Sequence, residues 1–115
     1  MKTNAQIKFS IDIQLSRAID AKTQAQNNLI SFMSGQAMES YAKAVILEQY
    51  LNRLSKAMEN HDARLVCDNM IDELTSHLLS HCHNGRWTCP FSNAIDNVKN
   101  DVMSRLLSNL KQELE

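Results

Sequence analysis

Two glycines and one proline in 115 residues leave this chain few places to turn sharply. Glycine supplies the positive-φ backbone of tight turns, and proline interrupts helices and sheet ladders. A sandwich or barrel of short strands needs such residues every several positions. Their scarcity therefore points to a few long helices. It also excludes glycine-rich phosphate loops, which need several glycines to bring backbone N–H groups onto an anion.

The punctuation that does exist divides the chain. Ser34-Gly35 and Asn84-Gly85 end apolar-periodic stretches, and Pro90 opens another. Ala44, Leu47, Leu51, Leu54 and Met58 follow three-four spacing, with Tyr41, Val45 and Ile46 widening the face. Cys67, Ile71, Leu74, Leu78 and His81 continue a four-three stripe, and Ile95, Val98, Val102, Leu106 and Leu110 form another. These patterns predict helices over 16–33, 36–60, 61–83 and 92–114, with Ser16 as N-cap of the first and Ser92 or Pro90 at the start of the last. The fold class is all-α, a small bundle of three to four helices in one domain. At Asn60-His61-Asp62 either Asn60 or Asp62 caps a new helix, or residues 36–83 run on as one.

The N-terminal segment 1–15 reads two ways. Ile7, Phe9, Ile11, Ile13 and Leu15 alternate with polar residues, which is a strand signal. Ile11, Leu15, Ala18, Ala25, Leu29 and Phe32 also fit a helix. One short N-terminal β-strand is thus an alternative to a further helical stretch.

Charge and cysteine usage narrow the function classes. Net charge is −1, so no dominant nucleic-acid footprint is present. No apolar run approaches the ~20 residues that span a bilayer, and the first residues lack a signal-peptide core, so no membrane partner is expected. The expected compartment is the cytoplasm, where Cys67, Cys82 and Cys89 stay reduced.

The most chemical stretch is His77, His81, Cys82 and His83, followed by Cys89. It holds enough nitrogen and sulfur for zinc, but its spacing matches no structural zinc site. The reading favoured here is a helix end rich in histidines, which suit the carbonyl end of the dipole. A cysteine nucleophile would need a positioned base and an oxyanion donor, and no glycine-rich elbow supplies the latter. Asp68 and Asp72 share a helix face with Glu73 beside them, which reads as a solvated surface. No catalytic residue, cofactor or metal is expected, and the chain is read as a non-enzyme.

Interaction is the function class that remains. Each helix carries an apolar face broad enough to require a neighbour. If residues 36–83 formed one helix, it would be roughly 70 Å long and one chain would not cover it, so a homodimer is expected. Six methionines suit an adaptable interface. The expected interface residues are Ala44, Leu47, Leu51, Leu54 and Met58, together with Trp87 and Phe91, which otherwise plug one end of the bundle. The partner is another protein or a second copy, acting as adaptor, inhibitor or regulator.

The alternative is DNA. Strand, helix, Ser34-Gly35 turn and helix over residues 7–58 resemble the ribbon-helix-helix arrangement. That resemblance implies a paired ribbon placing Lys8, Ser10, Asp12 and Gln14 against base edges. It also implies a phosphate at the helix N-terminus after Gly35.

Overall fold

The computed structural model describes residues 2–31, 35–84 and 90–115, with side chains described outside 29–36 and 80–96. Four helices make up the described chain: α1 (Asn4–Ser31), α2 (Gly35–Ala57), α3 (Ala63–Asn84) and α4 (Pro90–Glu113). The all-α bundle read from the sequence is what forms.

Helix α1 settles the ambiguous N-terminus. Residues 4–31 form one helix, and the described residues contain no strand. The period-two signal loses because the helical stripe is longer. Ile7, Ile11, Ala18 and Ala25 are all buried along one side, whereas the alternation stops at Leu15. A lone strand would also have no ladder partner elsewhere in the chain. The helix is nucleated by a reciprocal cap that the sequence reading missed. The Gln6 backbone N–H donates to Thr3 Oγ1 (3.2 Å), and the Thr3 N–H donates to Gln6 Oε1 (2.9 Å). Ser16, expected as an N-cap, lies in mid-helix.

Helices α1 and α2 run antiparallel. Ser55 Oγ donates to Asp12 Oδ1 at 2.7 Å near one end, and Lys22 pairs with Glu48 at 2.6 Å farther along. This is the most extensive helix pair in the fold. Alanines are buried on both members, Ala18 and Ala25 on α1 and Ala37 and Ala44 on α2, and such small side chains permit a close approach. Gly35 is the first residue of α2 and not a left-handed cap, and no described glycine has positive φ.

The long helix over 36–83 does not form. The chain leaves α2 at Ala57, whose carbonyl accepts the His61 N–H at 3.1 Å, and restarts at Ala63. Asp62 is the cap: its Oδ1 accepts from the Arg64 N–H at 3.2 Å, and its carbonyl accepts from the Val66 N–H at 3.0 Å. Folding back here lets Leu51, Leu54 and Met58 share one core with Val66, Cys67, Met70 and Leu74. A continuous helix would leave both faces wet. Ile7 and Ile11 from α1, and Met103, Leu106 and Leu110 from α4, complete that core.

Ion pairs tie the outer edges. Arg53 meets Glu73 across α2 and α3, and Lys43 meets Asp101 across α2 and α4 at 2.9 Å. Hydrogen bonding to Asp101, and then to Glu39, holds the Lys43 ammonium above its ordinary value. The same bond from Lys43 holds the Asp101 carboxyl below its own. No described helix is long and apolar enough to cross a membrane.

Candidate interaction surface

An alternating apolar pattern has a definite consequence once it is wound into a helix. Successive residues turn about 100°, so residues two apart lie about 200° apart. Ile7 and Ile11 face the core and are fully buried, while Phe9 and Ile13 fall on the opposite side. Phe9 is 67% exposed and Ile13 36% exposed. The two form a short apolar stripe along the outside of α1, where no other described helix covers them.

Beside this stripe runs an open groove of about 660 Å³ between α1 and the end of α4. Phe9 and Ile13 supply its apolar wall, and Gln6, Gln14, Asn109 and Gln112 supply amides. Its floor contains Glu113, a carboxylate only 7% exposed. Burying a carboxylate is costly unless hydrogen bonds satisfy it. Here Lys2 Nζ reaches Oε2 at 2.6 Å, and the Ser10 hydroxyl donates to Oε1 at 2.7 Å. Arg64 adds two further ties, to the Leu114 carbonyl (3.4 Å) and to the Lys2 carbonyl. The residues preceding α1, the start of α3 and the end of α4 are thus clamped at one end of the bundle.

The residues expected at an interface are placed differently. Ala44, Leu51, Leu54 and Met58 are buried in the chain's own core, and Leu47 packs against it. Intramolecular neighbours already cover that stripe, because the break at 58–62 folds α3 onto it. The premise of a long uncovered helix is therefore removed. Trp87 lies outside the described residues. Phe91 falls in α4 with its side chain outside the described set.

The zinc candidates are similarly placed. His77 is described and exposed, the side chains of His81, Cys82 and His83 are outside the described set, and Cys89 is outside the described residues. Among described residues, no three His, Cys, Asp or Glu side chains gather as a metal site. Asp68 and Asp72 are exposed, and Glu73 is committed to Arg53. Cys67 is fully buried, and burial, followed by the Glu113 and Asp68 carboxylates, pushes its thiol up to about 11. A thiol so held is protonated at neutral pH and packs as a small apolar group. The ribbon required by the DNA arrangement is absent, since residues 7–15 are helical.

Comparisons with protein-family models, with curated proteins and with solved structures find no match to this chain.

Proposed function

We propose that this chain is a non-enzymatic helical interaction module that pairs with a second copy of itself along the outer stripe of α1. The observation that carries the reading is the exposure of Phe9 and Ile13 on a helix whose other face is fully packed. Burying such side chains is the main driving force for association, and a large aromatic is the residue type that most often anchors an interface.

Charge complementarity favours a second copy in antiparallel register. Pairing centred on Ile11 sets each Phe9 against the other copy's Ile13, and each Gln6 against the other's Ser16. It also brings the exposed Asp20 of each copy to the beginning of the other's α1. There the Lys2 ammonium and the positive end of the helix dipole lie. A parallel arrangement would set Asp20 against Asp20. The stripe is short, so the pair belongs to the weak, transient class that buries less than about 1,200 Å² in total. The cytoplasm suits such a module, since a buried reduced thiol sits in its core.

Analytical ultracentrifugation across a concentration series tests this. The expected result is a reversible dimer of micromolar or weaker affinity. It is abolished in Phe9→Asp at unchanged helicity and weakened in Asp20→Lys. A native chain that stays monomeric at the highest concentrations, or a Phe9→Asp variant that dimerises as the native chain does, overturns the reading.

A further inference from the structure

Most described cations in this fold have an anionic partner. Lys2, Lys8, Lys22, Lys43 and Arg105 each meet a carboxylate within 4 Å. The cleft where α2, α3 and α4 converge brings together Arg53, which meets Glu73, and Lys99, which like Arg17, Lys56, Arg64 and Lys111 meets no carboxylate among the described residues. It is an open cavity of about 330 Å³ whose lining includes Arg53 from α2, His77 from α3 and Lys99 from α4. No carboxylate among the described residues lines it. Lys99 and His77 form no ion pair or hydrogen bond with described residues. Glu73 is the nearby acid, and it accepts only from Arg53 Nη2, at 3.1 and 3.2 Å. The Nε and Nη1 donors of Arg53 have no acceptor among the described residues.

The rest of the cleft is not polar surface. Ile46, half-buried, and Met103, buried, line it from α2 and α4. The Tyr50 ring lies beside the guanidinium, with 5.8 Å from the Arg53 carbon to the ring centroid. That contact orients the planar fork, which then needs to lose less freedom to grip an oxyanion. Donors drawn from three separate helices, the Arg53 and Lys99 cations and the His77 imidazole, set over apolar and aromatic walls, match the usual make-up of a small-ligand site. The volume is at the small end of the range for such sites, roughly 300–1,000 Å³.

The geometry points to a binding site for a small phosphorylated organic molecule, with its phosphate held by Arg53, His77 and Lys99 and its apolar body against Ile46, Tyr50 and Met103. Arginine provides paired donors that match phosphate oxygens, and lysine provides a point charge. This site lies away from the α1 stripe, and its occupancy does not depend on self-association.

The test is a two-dimensional amide NMR titration of the full chain at constant ionic strength, with phenyl phosphate, inorganic phosphate, phenol and sodium chloride as separate probes. Phenyl phosphate is expected to give saturable shifts at the Tyr50, His77 and Lys99 amides. Inorganic phosphate should bind at the same amides with lower affinity, and phenol and chloride should leave them unmoved. Lys99→Glu should weaken phenyl phosphate about tenfold or more, and His77→Ala should weaken it less. Both residues are solvent-exposed, so circular dichroism should show native helicity in each variant. Shifts that never saturate, equal responses to phenol or chloride, or full affinity in Lys99→Glu overturn the site. Equal affinity for inorganic and phenyl phosphate overturns the assignment of an organic ligand.

Discussion

Ile11 and Ile13 are the same residue type, two positions apart in one helix, and they have opposite fates. Ile11 is fully buried in the core cluster to which all four helices contribute, while Ile13 lies over a third exposed beside Phe9. Nothing in their immediate neighbours separates them, since both stand between polar residues. Rotation of the helix separates them. The inner face of α1 is packed into the core, and the outer face leaves Phe9 and Ile13 exposed. The comparison teaches that a period-two pattern wound into a period-3.6 helix sends the apolar residues of one short segment to opposite faces.

Four substitutions grade that contrast by urea unfolding, with the midpoint read at constant slope. Ile11→Ala should cost most, about 2–5 kcal/mol, because it opens a cavity at a fully buried position in the shared core. Glu113→Ala comes next. It removes the acceptor for Lys2 and Ser10 at the boundary between the inner and outer faces, at a cost of about 1–3 kcal/mol. A cost near zero would show that the clamp at that end contributes nothing to the fold. Lys22→Ala loses the ion pair to Glu48 on the opposite flank of α1. That pair is partly exposed and should contribute about 1 kcal/mol or less, and less still in high salt. Ile13→Ala should change stability least, by about 0.5 kcal/mol or less, while weakening self-association. If Ile13→Ala unfolds the chain as readily as Ile11→Ala does, the division of α1 into two faces is wrong.

Much of this architecture was legible in the residues. The helix content followed from the near-absence of glycine and proline, and the core stripes of α2, α3 and α4 followed from their three-four spacing. Pro90 opening α4 and Asp62 capping α3 were both among the readings that capping chemistry allowed. The start of α1 was also written in the sequence, as Thr3-Asn4-Ala5-Gln6, and was passed over because the louder alternation beyond it suggested a strand. The burial of the α2 stripe within the chain was not legible for a different reason. Leu47, Leu51 and Leu54 form the strongest stripe in the chain, and a strong stripe does not say whether its cover comes from the same chain or another.

Local chemistry alone determined that this protein is helical, where its helices begin, and which side of each is apolar. Those properties depend on backbone propensity, end capping and spacing, all of which act within a few residues. Tertiary structure decided that the chain folds back at 58–62, that the α2 stripe is consumed internally, and that Phe9 and Ile13 stay outside. It also decided that Arg53, His77 and Lys99 converge. These outcomes turn on which faces meet across long stretches of chain, and burial is a non-directional force that any apolar neighbour satisfies.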